Sequence, residues 1–462
     1  MRRLVPLAIV LFIWSMATHG KYSDSGDEPH YLLTAESLLS DHDLDLTNNL
    51  AKDDARWFGA DGLQEGPHAR PNRFGRLWTV HDIGVSIAVL PVYAVATRVS
   101  RFVPADWLAS VHQTQGLFAY SIVSLALTIA VAWAIALALG AAARRTSTVR
   151  AATLALVLGF TPPIVSHAFL VFPETLALVA VFAVLWLTLI DDADVTGGRM
   201  IAVAIVVGLL PWLHRKYSLF ELGLMFAIWH ERRAWFARAS AARRAVVVAA
   251  AILPQLLLHA WTLYYWGNLG GPQMLDALPF SIASWPRGAL GLIFDRERGL
   301  LSLAPIFLIL PACWAVAWRR ARVWLVPILL LFVPMAAYAD WTAGFAPAAR
   351  YLVPIVPLLA LPALWAMDDP WLRRLAFALV VFQAAVAAVI WQHPRWLWPR
   401  GDARNLAMNA IPGLGPLYAG ALPSLATGEP LARTWFGLAA VVVLAALGVV
   451  RRSARRAARE IA

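Results

Sequence analysis

Two adjacent acids, Asp27 and Glu28, stand in the segment Gly26-Asp27-Glu28-Pro29-His30-Tyr31, directly after the first apolar run. A carboxylate so placed can take a proton from an attacking hydroxyl, and a second one can orient a substrate. Pro29 suits the first turn of a helix, because it lacks a donor that the turn cannot use. Behind it Tyr31, Leu32, Ala35, Leu38 and Leu39 recur at helical spacing, which predicts an amphipathic helix at a membrane surface. The helix dipole would favour the anionic forms of Asp27 and Glu28 at its start. The same pattern also fits an ordinary capped helix with solvated acids.

More acids sit beside apolar runs. His81-Asp82-Ile83-Gly84 precedes one, and Phe172-Pro173-Glu174 opens another. Glu174 equally fits a helix amino-terminal acid following a proline. Basic residues gather in His214-Arg215-Lys216-Tyr217, Asp295-Arg296-Glu297-Arg298 and Arg350-Tyr351. Arginines at membrane depth need a partner. A lipid phosphate supplies one, because guanidinium meets phosphate oxygens in a bidentate way. Anchoring by ordinary headgroups is the alternative for each cluster.

These residues must be held by membrane helices. Of 462 residues 60% are hydrophobic and only 15% charged, with mean hydropathy +0.63, too little polar surface for a soluble domain. Apolar runs at 4–19, 112–140, 149–168, 173–190, 199–214, 217–230, 244–264, 300–318, 323–339, 350–367, 373–391 and 432–450 read as spans. The fold class is therefore all-α, a polytopic membrane protein of about 11–13 transmembrane helices. The run at 4–19 follows Arg2-Arg3 and reads as an uncleaved first span rather than a signal peptide, since no small-x-small cleavage site follows.

Charge sets the orientation. Arg144-Arg145, Arg232-Arg233 with Arg243-Arg244, Arg319-Arg320 and the tail Arg451 to Arg459 mark cytoplasmic loops by the positive-inside rule. The net charge of +11 is thus a topology signal and not a nucleic-acid surface. All basic loops fall on one side if Ile83 to Val99 lies in the interface without crossing. That leaves 20–111 as a long first external loop with amphipathic juxtamembrane helices, followed by external loops 265–299 and 392–431 rich in Gly, Pro and Trp. The chain divides into a module over 1–230 and further helices over 231–462, with no separate soluble domain. A single cysteine, Cys313, rules out an intrachain disulfide. Only three lysines and abundant Arg and Ala suggest a GC-rich bacterial genome and no more; the apolar spans make the expected location the bacterial inner membrane.

An acidic pair in the first external loop, followed by an amphipathic helix, resembles the C-type (GT-C) glycosyltransferases, among them the protein O-mannosyltransferases and the aminoarabinose transferases. The resemblance implies that Asp27 serves as catalytic base or acceptor-binding carboxylate, with Glu28 beside it. His81-Asp82-Ile83-Gly84 occupies the place of the family's His/Lys-Pro-Pro-Leu segment but lacks its prolines. Glu174 matches a second acid often found there. Trp341 to Arg350-Tyr351 resembles a loop and span in which a basic residue approaches the donor phosphate. On this reading His81, Asp82 and Glu174 orient acceptor or sugar. Arg215, Lys216, Arg296, Arg298, Arg350 and Tyr351 hold the phosphate of a polyprenyl-phosphate sugar donor.

The implied activity is inverting transfer of a sugar to a glycan, lipid or protein acceptor outside the cytoplasm. No cofactor is firmly implied; the acids could support a divalent cation, but no ligand spacing demands a metal. No Gly-rich phosphate loop follows a strand, so no nucleotide-sugar site is expected. Competing readings are a transporter or lipid flippase, favoured by the Pro162-Pro163 break, a ligase or polymerase of lipid-linked glycans, and a non-catalytic assembly protein. An Asp27→Asn exchange is expected to cost little stability, because the position reads as an exposed helix start.

Overall fold

The computed structural model describes residues 4–19, 26–60, 62–63, 66, 68–272 and 280–461, the side chains of His19 and 454–461 excepted. Parts of two expected external loops, 20–25 and 273–279, and most of the basic tail's side chains lie outside the described residues.

The main helices are α1 (Leu4–His19), α2 (Glu28–Ser40), α3 (Gly84–Ser100), α4 (Gln115–Arg145), α5 (Thr148–Phe160), α6 (Pro173–Leu189), α7 (Gly197–Gly208), α8 (Ser218–Glu231), α9 (Ala241–Trp266), α10 (Trp285–Phe294), α11 (Leu310–Ala321), α12 (Leu325–Ala337), α13 (Pro370–Gln392) and α14 (Trp435–Ile461). The only strands among the described residues are β1 (Ala69–Pro71) and β2 (Leu77–Thr79), paired antiparallel with Ala69 opposite Thr79. The protein is all-α and polytopic, as its composition requires.

Among the described residues, five helical stretches are long and apolar enough to cross a membrane: Gln115–Arg145, Ala241–Trp266, Pro305–Ala337, Pro370–Gln392 and Leu431–Ser453. Six shorter apolar helices accompany them, Leu4–Thr18, Gly84–Ser100, Thr148–Phe160, Pro173–Leu189, Gly197–Leu213 and Arg350–Ala366. A 3-10 turn at Arg322–Trp324 divides the longest stretch into α11 and α12, where the sequence suggests a basic loop.

Sequence explains the ends of α4. The Thr114 side chain accepts the Leu117 N–H, and Arg144 and Arg145 close the last turn, where the dipole favours cations. Its two faces are both apolar. Val131, Ile135 and Leu139 are buried against neighbours, while Ile129, Trp133 and Leu137 are exposed. The outward face of α9 is likewise apolar, with Ile252, Leu253, Leu256 and Leu257 exposed. An apolar outside around an apolar inside is the pattern of a chain solvated by lipid. Helix α6 is buried on almost every side, from Pro173 to Leu189. It packs on α4 and on the Arg350–Ile355 turn, so both halves of the chain meet along it.

One expectation is corrected. Helix α2 is not the expected amphipathic surface helix, nor the alternative capped helix with solvated acids: residues Glu28 to Ala35 are all buried, and Asp27 makes no capping bond. Helix α3 covers it, with the Ser86 hydroxyl donating to the Tyr31 carbonyl (2.9 Å) and the Tyr93 hydroxyl to Glu36 (2.8 Å). Gly84 lets the start of α3 press against the backbone at Trp212 on its other side, since a Cβ there would stand 2.3 Å from the Trp212 carbonyl oxygen.

The two late loops are bound to one another by buried charges. Glu297 accepts backbone N–H groups of Arg400, Gly401 and Ala403 at 3.0–3.1 Å. Asp295 accepts the Ala426 N–H at 2.9 Å. Arg296 donates to the carbonyls of Leu422, Ala403 and Ala419. Glu297→Ala would strand those donors and is expected to cost about 1–3 kcal/mol. Limited proteolysis in detergent should then cut the 400–404 region in the variant before it cuts the wild type; unchanged resistance would show that the lock is not needed.

Candidate active site

Four side chains from four separate parts of the chain converge at helix ends. Asp27 is the N-cap residue of α2, yet its side chain makes no capping bond. Instead its Oδ2 accepts from Arg350 Nη2 at 2.5 Å. Arg350 Nε also donates to Glu174 Oε1 at 3.0 Å, and Lys216 Nζ reaches the same oxygen at 2.5 Å. Glu174 sits there because Pro173 starts α6. Lys216 is carried by the 3-10 turn Arg215–Tyr217, which His214 caps by accepting the Lys216 N–H.

Arg350 opens its own 3-10 turn after Ala349, which is left-handed at φ 59°. Arg298 shapes that approach. Its backbone carbonyl accepts the Ala349 N–H (2.8 Å), and its guanidinium donates to the carbonyls of Thr342 and Gly344.

The electrostatics follow from burial. Glu174 is fully buried and Arg350 is 7% exposed, whereas Asp27 keeps 20% exposure. Isolated charges could not be held so deep, but two carboxylates against two cations compensate one another. The Arg350 guanidinium also lies over the Phe172 ring, 4.1 Å from its centre, and Lys216 lies 4.8 Å from the Tyr351 ring. Burial pulls the Asp27 carboxyl upward; Arg350, helped by His81 and His68, outweighs it and holds the group well below the usual carboxylate range.

A second pair adjoins this one. Asp82 accepts both the backbone N–H of Arg215 (3.0 Å) and its Nε (2.8 Å), which fastens the loop before α3 to the Lys216 turn. Burial pushes the Asp82 carboxyl up, with Arg215 opposing. Next to it three imidazoles pack together. His68 Nδ1 lies 3.1 Å from His81 Nε2, and the His30 and His68 rings stack at 4.1 Å. Asp27, His68 and His81 each offer one ligand atom, all within 4.8 Å of one another, an arrangement able to hold a metal ion.

Four buried polar atoms around the cluster lack a hydrogen-bond partner among the described residues: the Tyr31 and Tyr217 hydroxyls, Glu174 Oε2 and His167 Nε2. Both tyrosines feel the charges of Glu174 and Arg350. Hydroxyl donors and two cations around a common centre can receive a multiply oxygenated anion.

The structure thus brings together Asp27, Glu174, Lys216, Arg350 and Tyr351, with His81, Asp82 and Arg215 adjoining. Two expected roles are corrected. Glu28 is not a free acid beside Asp27, because it is buried and its Oε1 accepts the Val171 N–H at 2.7 Å, holding the loop before α6. Arg296 is not in the cluster, its guanidinium being committed to loop carbonyls. Arg298 acts one step away, on the loop leading to Arg350. Sequence reading missed His68, whose only signal was a second histidine, His81, across a short segment with turn residues.

Two solved structures are similar to this chain. The crystal structure of ArnT from Cupriavidus metallidurans in the apo state is 15% identical, covering 97% of this chain and 77% of that one, with TM-score 0.48. The structure of the same protein bound to undecaprenyl phosphate is 16% identical, covering 98% and 78%, with TM-score 0.48. No family model and no curated protein matches the chain.

Asp27 is therefore not the inexpensive, exposed helix start that its sequence context suggests. Arg350→Ala strands Asp27 and leaves Glu174 to Lys216 alone, and should destabilise by about 3–5 kcal/mol. Asp27→Asn leaves the guanidinium paired with Glu174 and should cost about 1–2 kcal/mol. Unfolding midpoints in detergent will rank the two; equal or reversed losses would show that Arg350 is not the bridge.

Proposed function

We propose that this chain is a membrane glycosyltransferase of the GT-C type. It moves a sugar from a polyprenyl-phosphate donor to an acceptor on the non-cytoplasmic face of a bacterial inner membrane. The observation that carries this reading is the bridge of Arg350 to Asp27 and Glu174, with Lys216 on the same glutamate. It sets a carboxylate beside cations at the ends of apolar helices, where a lipid phosphate and an acceptor hydroxyl can both arrive.

Charge along α6 supports the orientation. Glu174 and the cluster stand at its first turn. At its other end Arg145 and Arg232 donate to the carbonyls of Thr188, Leu187 and Ile190. Those arginines belong to the basic loops that the positive-inside rule puts in the cytoplasm.

The chemistry needs a base for the acceptor and charge stabilisation for the leaving group. While Arg350 holds it, Asp27 is a weak base. A donor phosphate competes for Arg350 and Lys216, and the Tyr31 and Tyr217 hydroxyls add donors. Asp27, relieved of its cation, returns toward ordinary carboxylate basicity. The acceptor oxygen then bonds to the anomeric carbon, and the bond from that carbon to the phosphate oxygen breaks. The phosphate departs with the electron pair, and the acceptor proton passes to Asp27. One such displacement inverts the anomeric centre. His81, Asp82 and Glu174 orient the sugar and acceptor, and Arg215 reaches the phosphate through the same turn as Lys216.

Incubating purified protein with a panel of polyprenyl-phosphate sugars tests this reading. Free polyprenyl phosphate should be released, and Asp27→Asn should slow release by about 100-fold or more. No release from any donor would overturn the assignment. Lys216→Gln should raise the donor KM roughly tenfold and leave the acceptor KM unchanged; a change confined to the acceptor would contradict a phosphate-facing role.

A further inference from the structure

We propose that Asp27, His68 and His81 form a binding site for a divalent transition-metal ion of the zinc type. The site stands on its own geometry and does not require that the chain transfer a sugar.

The hairpin builds half of it. His68 immediately precedes β1 and His81 lies two residues after β2, so the pairing of Ala69 with Thr79 sets the two histidines side by side. The Val80 N–H donates to the His68 carbonyl (3.0 Å) and closes the foot of the ribbon. The His81 N–H bonds the Thr79 hydroxyl at 3.1 Å, which fixes the turn that presents the ring. The two facing nitrogens are 3.1 Å apart. Tetrahedral zinc with bonds of about 2.0–2.1 Å puts its ligand atoms roughly 3.3 Å apart, so a shift of only tenths of an ångström is needed.

The third ligand comes from the start of α2, far away in sequence. Arg350 takes Asp27 Oδ2, and a carboxylate has a second oxygen to give. His30 stacks on His68 and holds its ring plane. Two imidazoles and one carboxylate suit zinc, cobalt, iron(II) or manganese, whereas magnesium and calcium prefer all-oxygen sets. Three protein ligands leave a coordination position for water or a substrate oxygen. A bound ion would also tie the hairpin to α2.

The alternative is a plain hydrogen-bonded imidazole pair, and metal binding decides between them. Tag-free, full-length protein in detergent is stripped with chelator and titrated with Zn²⁺ and with Co²⁺. One ion per chain is expected, with the visible absorption of four-coordinate cobalt and a rise in the unfolding midpoint reversed by chelator. His68→Ala and His81→Ala should each weaken binding about 10- to 100-fold, while His42→Ala, at an exposed residue, should leave it unchanged. Substoichiometric binding, or full binding in the His68/His81 double variant, overturns the site. Should those variants fail to fold, X-ray absorption on zinc-loaded wild type gives the answer: two imidazole ligands support the site, and a first shell without imidazole refutes it. Because every readout is metal binding, failure here leaves the transferase reading standing, and failure of sugar transfer leaves this site standing.

Discussion

Arg350 is the residue on which the centre of this protein depends. Its guanidinium is buried and bridges Asp27, which lies 323 positions earlier, and Glu174, which lies 176 positions earlier. A planar fork with several donors at fixed angles is suited to joining two carboxylates in this way. The bridge draws the start of α2, the start of α6 and a late turn into one point. Lys216 completes the charge balance, so a cluster that would be prohibitively costly as separate ions is held as a compensated group.

The scaffold around the cluster has little other polar material to work with. Helix α6 is buried nearly throughout, and the helices outside it turn apolar side chains both inward and outward. Such a bundle holds its helices together by packing, and its polar chemistry is pushed to the helix ends. The arginines that bond the last carbonyls of α6 and the acid at its first turn divide the charge between the helix's two ends, a separation that lipid on either side would reinforce.

Not every striking charge serves the centre. Asp295, Arg296 and Glu297 satisfy backbone groups of the 400–426 region, and Arg298 shapes the loop before Arg350. Glu28 does similar work beneath the site by holding Val171. These residues let irregular backbone stay ordered beside apolar helices, where unpaired N–H and carbonyl groups would be costly. The histidines around Asp27 are different, because they direct ligand atoms and not backbone partners at one another.

The sequence by itself determined the membrane class, the approximate places of the helices, and the chemical types that meet at the site. Those follow from composition and periodicity, which are local properties. Asp27, Glu174, Lys216 and Arg350 were all legible as unusual charges beside apolar runs. Only the tertiary structure decided which of those charges meet: it joined Arg350 to Asp27, turned Glu28 and Arg296 to backbone support, buried the expected surface helix α2, and brought His68 against His81. Burial and pairing depend on contacts between residues hundreds of positions apart, and an acid that caps a wet helix is indistinguishable along the chain from one that neutralises a buried arginine.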